Sequence, residues 1–151
     1  PILGKRISHS YAGDVSEDTA IHQYLFQSMM LKNQNDDISN ILEEIGKVEM
    51  KHLEVLGLLM KELGIYPVYY DSSCGNHAYF TSKYASYDTD LESMLLSNIM
   101  AERRAILQYD AIISSTSDIY VQNILKRIVL DERLHLEIFE KILFLVQKGE
   151  T

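Results

Sequence analysis

Apolar residues recur three and four positions apart along four long segments, and the two prolines, Pro1 and Pro67, fall outside all of them. That period belongs to helices that bury one stripe and leave the rest in water. The spacing predicts an all-α chain with helices over about 14–33, 37–63, 89–114 and 118–147. Gly64 stands where a C-terminal cap of the second helix belongs, and Thr89-Asp90-Leu91-Glu92 fits a capping box opening the third. The first two helices then form one hairpin and the last two another. Between them, 64–88 holds six of the ten tyrosines and is too long for a turn, so it is expected to run as a crossover within a single domain spanning 1–151.

The two hairpins repeat one another. Glu17-x-x-Ala20-Ile21-x-Gln23-Tyr24 recurs as Glu102-x-x-Ala105-Ile106-x-Gln108-Tyr109, and Glu49-x-x-His52-Leu53-Glu54 recurs as Glu132-x-x-His135-Leu136-Glu137. The second copy closes with a loop two residues shorter. A duplicated hairpin folds back with approximate two-fold symmetry, so its repeated polar residues are expected to face one another.

Positions three, four and seven apart lie on one side of a helix. Ile45, Glu49, His52 and Leu56 therefore share a face, as do Leu125, Ile128, Glu132, His135 and Phe139. Each Glu-x-x-His pair thus interrupts an apolar stripe, where an isolated charge costs several kcal/mol. Two divalent cations cancel four carboxylates, so Glu17, Glu49, His52, Glu102, Glu132 and His135 are the predicted ligands of two metal ions. Asp14-Val15-Ser16-Glu17 also reads as a capping box with Glu17 in its third turn position, but its repeat partner Glu102 stands in mid-helix. Tyr24 and Tyr109 lie seven residues beyond those glutamates on the same face. There they serve either as core packing or as hydrogen-bond partners of a ligand carboxylate. Glu54 and Glu137 point away from the stripe. His9, His22 and His77 have no repeat partner and are expected at the surface.

The 151 residues carry a net charge of -8, which disfavours a nucleic-acid surface, and one cysteine, Cys74, which excludes an internal disulfide and any Cys-x-x-Cys pair. No apolar run is long enough to span a membrane, and 1–11 lacks the apolar stretch of a secretory signal, so a cytoplasmic protein is expected. Oxygen-rich ligation with two imidazoles suits iron first and manganese next.

These residues resemble the ferritin-like dimetal-carboxylate superfamily over all four helices. Glu17 through Tyr24, Met30-x-Lys32-Asn33 and Glu49-Met50-Lys51-His52 are similar to bacterioferritin, and Ile45-Gly46-x-x-Glu49-x-x-His52 is equally similar to the manganese catalases. Rubrerythrins share the glutamate with tyrosine seven residues on. The resemblance implies a ferritin-like four-helix bundle in which Glu17 and Glu102 each hold one metal, Glu49 and Glu132 bridge both, and His52 and His135 cap one each. It also aligns Met50 with the methionine that binds haem between two bacterioferritin subunits; the alternative for Met50 is packing at a dimer contact. Ala105 stands where rubrerythrins carry an extra glutamate, and Ala101 where manganese catalases carry an arginine.

Three activities follow from the resemblance: a peroxidase or ferroxidase consuming peroxide or dioxygen, a manganese-type catalase, and iron binding or storage without catalysis. The first needs an external electron donor such as a rubredoxin or flavoprotein, because one cysteine provides no iron-sulfur relay. A homo-oligomer, at least a dimer, is expected.

Overall fold

The computed structural model describes residues 1–73 and 75–149, in two compact units that divide between Ala85 and Ser86. The four expected helices are present as α2 (Glu17–Leu31), α3 (Asp36–Glu62), α4 (Leu91–Ser115) and α5 (Ile119–Gln147). An eleven-residue helix that the periodicity did not suggest, α1 (Ile2–Ala12), precedes them.

In the first unit α2 and α3 form the expected hairpin. Ser16 opens α2 by accepting from the Thr19 amide, which makes Glu17 the first residue of the helix rather than the third-position member of a box begun by Asp14. The Asp14 carboxylate instead accepts from Val15 N at 2.8 Å. Asn35 caps α3 through Ile38 N. At the far end Gly64 takes φ +87° and Ile65 N reaches back to Met60 O at 2.9 Å, the left-handed cap foreseen there. Inside the hairpin Ser28 and Ser39 each donate a hydroxyl to the other's carbonyl, at 2.8 and 2.7 Å, which satisfies two buried side chains where the backbones approach.

α1 packs on this hairpin and on the chain leaving α3, with Ile7, Tyr11 and Ala12 buried. Long-range hydrogen bonds tie it down. Tyr11 donates to Pro67 O at 2.8 Å, Ser72 N donates to Ser8 Oγ at 2.9 Å, and His9 Nδ1 meets Asp71 Oδ2 at 2.7 Å. Burial opposes ionisation of Asp71, but hydrogen bonds from Ser73 and His9 hold its carboxyl below its ordinary value. His9 is therefore a half-buried brace, not the surface residue its lack of a repeat partner suggested. The crossover contains a short antiparallel ribbon, β1 (Tyr70–Asp71) with β2 (Ala78–Tyr79), and a 3-10 turn at Ser82–Tyr84. Cys74 lies outside the described residues.

In the second unit α4 and α5 form the other hairpin. Asp90, not Thr89, caps α4 by accepting from Ser93 N, so the cap lies one residue later than the capping-box reading placed it. Asp118 caps α5 through the Tyr120 and Val121 amides. The connection 116–118 is one residue shorter than its counterpart 32–35, where the repeat offset suggested two.

Ile7 is fully buried in α1 while Ile2 is 87% exposed. Ile7→Ala is expected to cost about 2–5 kcal/mol and Ile2→Ala under about 0.5 kcal/mol in urea unfolding. Equal effects would mean that α1 is not docked in solution.

Candidate metal centre

In the first unit the Ser16 cap sets Glu17 at the start of α2, while Glu49 and His52 project one turn apart from the middle of α3. All three are buried, at 2, 1 and 4% exposure. His52 Nδ1 lies 3.5 Å from Glu17 Oε1 and 3.6 Å from Glu49 Oε1, and each residue offers a ligand atom within 4.8 Å of the others. The second unit repeats this arrangement on α4 and α5. Glu102, Glu132 and His135 are buried at 1, 1 and 3% exposure, with His135 Nδ1 3.7 Å from Glu102 Oε1 and 3.5 Å from Glu132 Oε1. The sequence repeat is thus also a repeat of geometry.

The electrostatics of the second cluster express a demand for positive charge. Burial, reinforced by the charge of Glu132, pushes the Glu102 carboxyl well above its ordinary value. Burial disfavours the His135 imidazolium, yet the neighbouring Glu102 and Glu132 carboxylates outweigh it and raise the group to about 9. In a metal-free interior, protons take the place of a cation.

The donor set fits a metal on two counts. Two carboxylates and one imidazole per cluster, without sulfur, suit iron or manganese. Two atoms each about 2.1 Å from one ion stand roughly 3.0–3.4 Å apart across right to tetrahedral angles, whereas a short charge-assisted hydrogen bond spans about 2.7–2.9 Å. The nitrogen–oxygen spacings of 3.5 to 3.7 Å lie nearer the first range.

Tyr24 and Tyr109 are buried, at 0 and 1% exposure, which both core packing and a hydrogen bond to a ligand carboxylate require. Met50 is 57% exposed. Glu54 and Glu137 are exposed, as are His22 and His77. One acid escaped the sequence reading. Asp18, next to Glu17, is only 6% exposed and lies 3.3 Å from His22 Nε2. Burial raises its carboxyl, and His22 opposes the rise. The available signal was its departure from the repeat, since the equivalent residue of the second hairpin is Arg103.

A family model described as rubrerythrin matches residues 13–143. Among solved structures, a manganese catalase from Anabaena superposes with a TM-score of 0.85 and 26% identity, covering 99% of this chain and 74% of its own. The bacterioferritin of Desulfovibrio desulfuricans, described with a diiron site, gives 0.78 and 21%, covering 98% and 81%. That of Mycobacterium tuberculosis gives 0.81 and 22%, covering 98% and 87%. No curated protein sequence matches the chain. The fold is a ferritin-like four-helix bundle, and no helix among the described residues is long and apolar enough to cross a membrane.

Glu102→Gln keeps the shape of a buried carboxyl and removes its charge. In chelator-stripped protein its thermal unfolding is expected within about 1 kcal/mol of wild type, because the amide replaces a group that burial already disfavours as an anion. The stabilisation that added metal gives the wild type is expected to disappear. A loss above about 3 kcal/mol in the stripped protein would show that the anion itself is structurally required.

Proposed function

The chain belongs to the rubrerythrin family, and from that premise we propose that its two buried clusters hold two metal ions per chain, iron first and manganese next, and serve the reduction of peroxide or dioxygen. The observation that carries this reading is the doubled cluster itself. Glu17, Glu49 and His52, and again Glu102, Glu132 and His135, are each at most 4% exposed with matching nitrogen–oxygen spacings. Six such groups in an apolar helical interior have no favourable state without compensating charge.

When bound, the ions supply the redox chemistry, two electrons for one peroxide. The four carboxylates neutralise and orient the ions, and the imidazoles complete the donor set as neutral ligands. Buried Ile45, Leu56, Leu125, Ile128 and Phe139 keep bulk water from the donors and lower the local dielectric. Tyr24 and Tyr109 are assigned to orienting the ligand carboxylates through their hydroxyls. Hydrogen peroxide then takes two electrons and two protons to leave two waters. The electrons come from outside the chain, from a rubredoxin or flavoprotein, since Cys74 is the sole cysteine. We also assign the chain to a cytoplasmic homo-oligomer, at least a dimer, the reducing compartment resting on its single cysteine. Exposed Met50 keeps two readings, packing between copies and haem ligation. A Soret band in haem-supplied protein, lost in Met50→Ala, would establish the second.

The likeness to a manganese catalase favours one competing reading, in which peroxide is both oxidant and reductant. Metal-loaded protein given peroxide, with and without a reducing partner, separates the two. Peroxide loss only with the donor and without oxygen is the expected result; steady oxygen release without a donor means a catalase; no consumption with metal bound leaves storage.

His52→Ala and His135→Ala are each expected to lower bound metal well below two ions per chain, measured by elemental analysis together with the absorption spectrum. Unchanged stoichiometry and spectrum in both variants would overturn the ligand assignment.

A further inference from the structure

On the outer side of the first hairpin, a cleft of about 600 Å³ opens between α2, α3, α1 and the crossover. Its volume is in the range of small-molecule sites. Residues next in sequence to the candidate ligands line it, Asp18 after Glu17 and Leu53 after His52, so the same helix turns present ligands on one face and this cleft on another. Its aromatic walls are ordered by mutual contacts. Tyr69 stacks on Tyr11 with ring centroids 5.7 Å apart and an interplanar angle of 13°, and Phe80 stacks on His22 at 5.1 Å and 20°. The Tyr11 hydroxyl is held by Pro67 O, and burial, with the nearby Tyr69 and Asp18, pushes it up to about 12, so this wall is uncharged.

The charges are of one sign. Two carboxylates, buried Asp18 and exposed Glu54, face the cleft, and no lysine or arginine is among the described residues that line it. His22 adds a partner for Asp18 at 3.3 Å. The second hairpin supplies an internal contrast. The counterpart of Asp18 is Arg103, and the counterpart of Gly57 at the cleft floor is Glu140. Those two are joined at 3.0 Å by an ion pair, so the equivalent face carries a salt bridge. A side chain at Gly57 would press on Pro67 and Tyr11, its Cβ lying 3.3 Å from each.

We propose that this cleft is a second binding site, separate from the metal centre, for a small organic cation: an amine or quaternary ammonium group carrying an aromatic or alkyl body. The ring faces of Tyr69 and Phe80 attract a cation through their quadrupoles and accept its apolar body. The Glu54 carboxylate provides opposite charge at the exposed side of the cleft, and Asp18, 3.3 Å from His22, adds a hydrogen-bond acceptor to its buried side. An anion of the same shape is repelled, and a neutral isostere gains only the apolar part.

The test titrates the metal-loaded full chain with benzyltrimethylammonium, benzyl alcohol and benzoate. Binding is followed calorimetrically and by tyrosine fluorescence, which no tryptophan obscures. The cation is expected to bind saturably at least tenfold tighter than benzyl alcohol, with benzoate weaker still. Glu54→Gln and Tyr69→Ala, both at exposed positions, are expected to weaken it at least fivefold with metal content per chain unchanged. Equal affinity for the cation and the alcohol, no saturable binding, or full binding by both variants would overturn the proposal. So would binding confined to monomer and absent from a dimer at matched concentration, which would make a second copy of the chain the occupant. Metal content measured on the same samples keeps a failure of the cleft distinct from a failure of the metal centre.

Discussion

Burying carboxylates and imidazoles in the apolar interior of a helical bundle is unfavourable unless positive charge comes with them, and most of the structure follows from that constraint. Glu17, Glu49, Glu102 and Glu132 are each no more than 2% exposed, so each loses its hydration on folding. A protein interior tolerates this only through pairing, protonation or coordination. In the second unit, where His135 rises to about 9 and Glu102 is held toward its neutral form, the protons required are those that a metal releases on binding. Metal affinity and the stability of the hairpins are thereby coupled, because a binding site of this kind does not survive in the unfolded chain.

The constraint also explains why the ligands sit on regular helices. A Glu-x-x-His pair one turn apart on α3 or α5 is fixed by backbone hydrogen bonds and by apolar neighbours above and below, so neither side chain depends on a loop for its position. Only Glu17 stands at a helix terminus. There the Ser16 cap fixes its backbone, and the helix N-terminus favours negative charge. Its partner Glu102 stands mid-helix without that help.

Helices α2 to α5 were legible because each is long and strongly periodic, and the buried glutamates and histidines because duplication wrote them twice. Their faces were legible as well, with Glu49 buried and Met50 beside it exposed. What escaped was non-local. α1 is eleven residues long, below the length at which a helix is stable alone, and it is tied to residues more than fifty positions away: Tyr11 to Pro67, His9 to Asp71, Ser8 to Ser72. The ribbon pairing Tyr70 with Tyr79 and Asp71 with Ala78 is too short to carry an alternating pattern. The shift of the α4 cap from Thr89 to Asp90 is a local competition between adjacent capping residues, which sequence spacing alone does not resolve.

Duplication and its breakdown divide the molecule chemically. Where the hairpins agree, at Glu, His and the tyrosine following each helical glutamate, they build the same buried carboxylate and imidazole cluster twice. Where they disagree, the first hairpin has acquired features the second lacks. Gly57 leaves room for Tyr11 and Pro67 where Glu140 pairs with Arg103, and Asp18 stands buried where that arginine is exposed. α1 and the crossover pack on the first hairpin and supply the aromatic walls at Tyr11, Tyr69 and Phe80. A ligand recognised there would touch repeat positions, Ile21, Leu53 and Glu54, together with residues that the second hairpin lacks, Asp18, Gly57, Tyr11, Tyr69 and Phe80, and it is the latter that set this cleft apart from the equivalent face of the second hairpin.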